Sequence, residues 1–409
     1  MRSVYVIGAG MTRFEKSSRP LRELVGEAVT QALDDSSAAP GDLQAAYVGN
    51  AVAGLLTGQE MIRGQVLLRP LGIESIPIFN VENACASAAS AFHLGWQAIA
   101  YGMHDVVLCV GAEKLTHPDP SVGLAAIGTA VDVEARAEMA TAMGTELDSR
   151  RSFFMDIYAA MTKEYMSRSG ATLEHFAEVV VKNQHNGALN PRAQYGAELT
   201  VDEVLAAREI VWPLTLLMCS PISDGAAAVV LASSRARRRL NARPGPRIRA
   251  SVVVSGNRHS SADPTAGSTG RAAALAYEAA GIGPDELDCA ELHDATAPAE
   301  LMAYEQVAFA SPDRISSGPW PGADPVGRDA ARWPVAGQHE RWAARERPSD
   351  RSDGYRPAVR GDLAAPQRGR SSPGRGRARR LDPERWRLAR RRFGGDVRPY
   401  PLSRLTPTA

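Results

Sequence analysis

The chain has 409 residues, of which 44% are apolar and 23% are charged, as expected for a globular protein of two domains or two similar halves. Its four cysteines are widely spaced and none belongs to a C-x-x-C pair, which argues against a metal cluster and against a disulfide framework. No stretch approaches the roughly 20 apolar residues of a membrane span. We therefore expect a cytoplasmic protein. From the spacing of the cysteines we expect no bound metal.

The net charge of +1 conceals a strong asymmetry along the chain. Residues 311–409 contain 22 Arg, no Lys and 11 Asp or Glu, whereas residues 1–310 carry 25 basic and 35 acidic side chains. Such a break indicates either a nucleic-acid-binding tail or a segment of different origin.

Apolar periodicity predicts alternating strands and helices in the first part of the chain. We expect strands at Val4–Gly8, Ala45–Val52, Ile76–Asn83 and Asp105–Gly111, and helices at Leu21–Asp34 and Ala84–Tyr101. The last two strands and the helix between them form a βαβ unit, which is typical of a parallel sheet.

The rest of the first 308 residues predicts a polar helical insertion over the sheet. A strand and a helix similar to those at the start of the chain follow it. We expect the insertion at about 115–211, a strand at Ala226–Ala232, a linker at Arg243–Pro246, strands at Ile248–Ser255 and Leu287–Leu292, and helices at Gly270–Gly281 and from Asp294 to about Ala308. The predicted organisation is therefore an N-terminal half (1–242), the start of a C-terminal half (247–308) and an Arg-rich segment (309–409) without apolar periodicity.

Cys85 is the leading candidate for a nucleophile, because it lies where a buried strand meets the N-terminus of a helix. The free N–H groups and the positive dipole end of a helix lower a thiol pKa and can also hold a developing oxyanion. The small residues around Cys85 keep the first helical turns slim, so that a substrate or another helix can approach.

The other cysteines give weaker signals. Cys109 has apolar neighbours in the middle of a strand, Cys289 is also expected on a strand, and Cys219 is ambiguous. His293 and Asp294 follow a predicted strand, and an imidazole at a sheet edge can donate to a carbonyl or orient a water.

Four motifs together resemble the thiolase superfamily, and in particular its sterol-carrier-protein-type and archaeal-type branch. They are Asn83–Ser90, Lys182–Pro191, Cys219–Ala228 and Glu291–Glu300. The resemblance covers residues 1 to about 308 and implies a thiolase-like α/β fold of two related βαβ-containing halves, normally forming a homodimer.

The resemblance also implies a function. Cys85 would accept an acyl group from acyl-CoA or 3-oxoacyl-CoA, and His293 would belong to the oxyanion hole that stabilises the enolate. Ser87 and Asp294 are the expected substrate-binding residues, and the coenzyme A thioester is a substrate, with no bound cofactor. Some relatives of this branch pair with a small zinc-ribbon/OB-fold protein.

The family's G-H-P-x-G histidine and its final glycine-rich loop do not occur in this chain. Back-translation of Ala331–Gly354 with GC-rich codons, read one nucleotide later, gives a G-H-P-I-G-A-T-G motif, and the same shift turns Pro383–Leu388 into Q-N-G-G-G-W. We therefore predict a frameshift near residues 309–320, a non-native or disordered C-terminal segment, and a chain that is poorly soluble or inactive as written.

Several functions remain open. The main hypothesis is a thiolase-type acyltransferase of lipid or sterol degradation. The alternatives are a non-catalytic protein that binds acyl-CoA or lipid, and a retro-aldol lyase of steroid side chains, since the shifted reading lacks the second cysteine that condensation uses. The Arg residues of the tail are mixed with acids and lack aromatic platforms, which argues against nucleic-acid binding.

Overall fold

A computed structural model describes residues 1–145, 151–257 and 263–310. The strands are Val4–Met11 (β1), Ala45–Gly49 (β2), Ile78–Val81 (β3), Val106–Lys114 (β4), Glu209–Val211 (β5), Leu214–Thr215 (β6), Asp224–Ser233 (β7) and Arg247–Ile248 (β8). The helices are Leu21–Ser36 (α1), Ala53–Thr57 (α2), Arg63–Leu68 (α3), Ser87–Ala100 (α4), Pro120–Ile127 (α5), Arg136–Ala142 (α6), Phe153–Ser169 (α7), Leu173–Ala188 (α8), Val201–Leu205 (α9), Ser234–Arg239 (α10), Ser268–Ala280 (α11) and Ala297–Gln306 (α12).

The main sheet has six strands in the order β3-β2-β4-β7-β1-β8. Strand β2 pairs in parallel with both β3 and β4, so β2 lies between the two strands that α4 connects. Strand β7 pairs antiparallel with β4 and β1, and β8 pairs antiparallel with β1. The predicted parallel βαβ unit is therefore one part of a mixed sheet, and the predicted α/β class is confirmed.

Both faces of this sheet are covered, as β4 shows. Val106, Leu108 and Val110 pack with α1 on one face, while Val107 and Cys109 pack with α4 on the other. Successive side chains of a strand point to opposite faces, so a strand that is apolar at every position needs a helix on each side. This explains the uninterrupted apolar run of β4.

Glycines allow α4 to lie very close to the sheet. A Cβ on Gly49 at the end of β2 would lie 2.6 Å from the carbonyl carbon of Ser87, and a Cβ on Gly95 would lie 2.4 Å from the sulfur of Cys109. The small residues at the start of α4 thus serve helix–sheet packing, and this packing fixes the first turn of the helix.

The insertion at 115–211 is mainly helical, as predicted, and its later helices form a separate apolar cluster with α12. Phe176 of α8 and Leu301 of α12 are fully buried in this cluster, and Tyr165 of α7 is 3% exposed. The packing places α12, which follows His293 and Asp294, directly against the insertion.

Two predicted strands are wrong. The observed strand β8, Arg247–Ile248, shares only Ile248 with the first prediction, Ile248–Ser255, and residues 287–292 form none. A strand needs a neighbour to satisfy its backbone N–H and C=O groups, and within the described residues the only strand paired with this segment is β1, at Tyr5 and Val4. Cys289 is consequently exposed and lies outside any strand, contrary to expectation.

The expected Arg-rich segment, its non-native character and the two shifted motifs fall on residues beyond 310, outside the described residues. The division into halves at 242 and 247 stays a prediction. None of the helices in the described ranges is both long and apolar enough to span a membrane.

Candidate functional site

Cys85 lies in a single 3₁₀ turn, Ala84–Ala86, between the end of β3 and the start of α4. The residue before it, Ala84, has a φ of +45°, which is unusual for a residue with a Cβ. Backbone strain of this kind occurs where the surrounding structure holds a functional side chain in place. The turn leaves the Cys85 side chain exposed.

Ser87 holds this turn closed. Its hydroxyl accepts a hydrogen bond of 2.9 Å from the Asn83 N–H and donates one of 2.7 Å to the Ala84 carbonyl. The Asn83 side-chain amide in turn donates to the Ser90 hydroxyl at 2.9 Å. Ser87 is only 5% exposed, and the role predicted for it in substrate binding stays a prediction.

His293 lies against Cys85, although the two residues are far apart in the sequence. The His293 imidazole interacts with the Cys85 thiol and lowers its pKa, although burial of the thiol opposes this effect. The same interaction raises the pKa of the His293 imidazole. Both shifts move the pair towards the thiolate–imidazolium form, in which the sulfur is nucleophilic.

A half-buried carboxylate lies near enough to Cys85 for its charge to act on the thiol. Glu113, near the end of β4, accepts hydrogen bonds from the backbone of Ala51 at 2.8 Å and from the Asn50 side chain at 2.9 Å. Burial raises the pKa of Glu113, and its charge acts against ionisation of the Cys85 thiol. Because β2, β3 and β4 are parallel, Cys85 and Glu113 both lie at the carboxyl ends of these strands. Ligands of α/β proteins commonly bind at this end of the sheet.

Asp294 is turned towards α8 and α12. Its carboxylate accepts a weak hydrogen bond of 3.5 Å from Asn183, and its backbone carbonyl accepts one of 2.9 Å from the Ser220 hydroxyl. Burial and the nearby charge of Glu300 raise the pKa of Asp294 to about 7, although Lys182 opposes this shift. Its predicted role in substrate binding stays a prediction.

The remaining cysteines lack the features of Cys85. Cys109 is 3% exposed, and burial raises the pKa of its thiol far above the usual range. Burial also raises the pKa of Cys219 to about 11. Among the described residues no group of three or more His, Cys, Asp or Glu side chains could hold a metal ion.

Two residues near Cys85, Tyr158 and Glu113, were not predicted from the sequence. Burial raises the pKa of Tyr158 of α7, and the charges of Cys85 and Asp294 raise it further. No sequence signal distinguishes Tyr158 from other helical tyrosines. Glu113 carried a usable signal, because an acidic residue at the carboxyl end of an apolar parallel strand lies at the same end of the sheet as Cys85.

The chain matches two family models. The model of the thiolase N-terminal domain matches residues 4–235, and the model of the thiolase C-terminal domain matches residues 250–316.

Similar proteins include an acetyl-CoA acetyltransferase of Methanothermobacter thermautotrophicus, 37% identical over 76% of this chain and 78% of its own length. The benzoylsuccinyl-CoA thiolase subunit BbsB of Thauera aromatica is 36% identical over 74% of this chain and 75% of its own. The solved structure of an Ltp2-ChsH2(DUF35) aldolase shares the fold, with a TM-score of 0.64, 24% identity and coverage of 81% of this chain and 83% of the other.

Proposed function

This chain belongs to the thiolase family, and on that premise we propose that Cys85 is the residue that accepts the acyl group. The substrate class is an acyl-CoA or 3-oxoacyl-CoA thioester of lipid or sterol degradation. The observation that carries the proposal is the interaction of the His293 imidazole with the Cys85 thiol at an exposed turn. The other three cysteines have no such partner among the described residues.

The chemistry of the first step follows from this pair. The Cys85 thiolate attacks the thioester carbonyl of an acyl-CoA, the bond between the carbonyl carbon and the CoA sulfur breaks, and the CoA thiolate leaves. The proton held on His293 passes to the leaving thiolate, which completes the balance. With a 3-oxoacyl-CoA the attack falls on the 3-oxo carbon, the bond between C2 and C3 breaks, and the acetyl-CoA enolate leaves.

His293 is suited to two parts of this reaction. As an imidazolium it donates to the negative oxygen that forms on the substrate, which is the role expected from the family. Its contact with Cys85 adds a second role, because a neighbouring imidazole keeps the thiol ionised. The resemblance to the family assigns this second role to the G-H-P-x-G histidine, which does not occur in this chain as written.

The proposal is tested by incubating the frame-corrected chain with acetyl-CoA and longer acyl-CoA thioesters and mapping any acyl group by peptide mass spectrometry. We expect a thioester on Cys85, absent from Cys85→Ala and retained in Cys289→Ala, which removes another exposed thiol. If folded protein binds acyl-CoA without acylation of Cys85, the protein is instead a non-catalytic binding protein.

We further propose that the reading frame changes near residues 309–320. The match to the thiolase C-terminal domain ends at residue 316, inside this window, and the composition changes there to Arg without Lys. Resequencing the gene across the window tests the idea, which an unbroken frame contradicts. We expect thiolase turnover, or retro-aldol cleavage, from the frame-corrected chain and none from the chain as written.

The proposal extends to assembly. We propose a homodimer, with a small zinc-ribbon/OB-fold protein as a further partner, in the cytoplasm. The Thauera relative carries the name of a thiolase subunit, which supports a search for a partner. Light scattering on the frame-corrected chain should give twice the monomer mass, and a monomer mass would contradict the dimer.

A further inference from the structure

The buried carboxylate of Glu300 links α8 to α12, the helix that follows the His293–Asp294 turn. Glu300 of α12 is 4% exposed and accepts hydrogen bonds from three groups. Lys182 and Asn183 of α8 donate to its two oxygens at 2.7 Å each, and the Tyr304 hydroxyl also donates to it. Burial of a charged carboxylate requires such partners, and here two of the three come from the neighbouring helix.

Asn183 connects this cluster to Asp294. Its side-chain oxygen accepts a hydrogen bond of 2.6 Å from Lys182, which fixes the orientation of the amide. The amide nitrogen then points to Glu300 and reaches the Asp294 carboxylate at 3.5 Å. Because both ends of the amide are engaged, Asn183 has a single orientation.

The turn that carries His293 is held from the opposite side as well. The Ser220 N–H donates to the Ala295 carbonyl at 3.0 Å, and the Ser220 hydroxyl donates to the Asp294 carbonyl at 2.9 Å. An isolated antiparallel β-bridge between the backbones of Cys219 and Thr296 extends this contact. The backbone contacts with Ser220 fix the main chain, and Asn183 adds a weak hydrogen bond to the Asp294 side chain next to His293.

We propose that Asn183 and Lys182 are positioning residues, which hold the His293–Asp294 turn against Cys85 by way of Glu300. The inference rests on the proposed function, since it concerns the reactivity of Cys85. Neither residue touches Cys85. They act by fixing the position of the His293 imidazole, and a displaced imidazole no longer stabilises the Cys85 thiolate.

Several other charges face the groups involved, and all are left unchanged by the test. Cys85 is influenced by His293 and Glu113, and Tyr158 lies near both Cys85 and Asp294. Asp294 is influenced by Glu300 and Lys182. An Asn183→Ala substitution removes no charge, so a change in Cys85 ionisation reports on position rather than on a lost charge.

The experiment measures alkylation of Cys85 by iodoacetamide as a function of pH, with peptide mass spectrometry to isolate this cysteine. In Asn183→Ala we expect the midpoint to rise by about 0.5 to 1 pH unit and the rate at neutral pH to fall about three- to tenfold, since one pKa unit changes the thiolate fraction tenfold. Asn183→Ser is a milder second variant, for use if Asn183→Ala does not fold.

Gln184→Ala is the matched control, because Gln184 is the next residue on α8 with a side-chain amide and its side chain makes no hydrogen bond with a described residue. It should keep the wild-type profile. A wild-type profile in a folded Asn183 variant would overturn this inference alone. An unreactive Cys85 in the wild-type protein would overturn the proposed function and this inference together.

Discussion

The side chains of Cys85 and His293 interact, although one residue follows β3 and the other precedes α12. This interaction links the strained turn after β3 to the loop that the helical insertion holds. The reactivity of the thiol therefore depends on packing between two parts of the chain that are distant in sequence.

Removal of the imidazole should make Cys85 a weaker nucleophile at neutral pH. His293 lowers the pKa of the Cys85 thiol, so His293→Ala raises that pKa and moves the iodoacetamide midpoint to higher pH. We expect the rate at pH 7 to fall about tenfold for each pKa unit. His185→Ala removes an imidazole paired with Glu198 on the surface and should leave the profile unchanged. An unaltered profile in His293→Ala would show that the contact does not set the thiol pKa.

A methyl group on Gly49 should disturb the first turn of α4. Its Cβ would lie 2.6 Å from the carbonyl carbon and oxygen of Ser87, and such overpacking costs about 1–3 kcal/mol. Gly41→Ala is the control, because nothing lies within 4 Å of a Cβ there. Urea denaturation should show a lower free energy of unfolding for Gly49→Ala only. Equal stabilities would contradict the close packing of α4 on the sheet.

Loss of the Ser87 hydroxyl should loosen the Cys85 turn. The substitution Ser87→Ala leaves the Asn83 N–H and the Ala84 carbonyl without their hydrogen bonds to this hydroxyl, and a typical hydrogen bond contributes about 0.5–1.5 kcal/mol. Ser121→Ala removes an exposed hydroxyl that bonds Asp119 and serves as the control. Thermal unfolding checks the loss. If Ser87→Ala keeps full stability but weakens substrate binding, the hydroxyl contacts substrate instead.

The raised pKa of Asp294 should make the free energy of unfolding fall as the pH rises. Its pKa in the folded protein, about 7, lies above the ordinary value of 3.8. Between these values the folded state binds more protons than the unfolded state, so the free energy of unfolding decreases with pH and then levels off. Asp294→Asn cannot ionise, and its stability relative to wild type should increase from about pH 4 to pH 7. Chemical denaturation across this range checks the difference, and a constant difference would contradict the raised pKa.

Local patterns predicted much of the fold. The apolar runs of β1, β4 and β7 and the periodicity of α1 and α11 depend on which side chains each element buries, and this information is contained in a few consecutive residues. The position of Cys85 at the mouth of α4 follows from the same patterns. The two wrong strands, near 248–255 and 287–292, show the limit, because a strand also needs a neighbour that its own residues do not specify.

The chain by itself thus determined the α/β class, the order of most elements and the cysteine with the best setting for nucleophilic chemistry. Only the tertiary structure decided that His293 interacts with this cysteine and that Asn183 reaches Asp294. The physical reason is that both contacts join segments separated by long stretches of chain. Their geometry is set by the packing of α8 and α12 and of α4 on the sheet, and short-range periodicity carries no information about that packing.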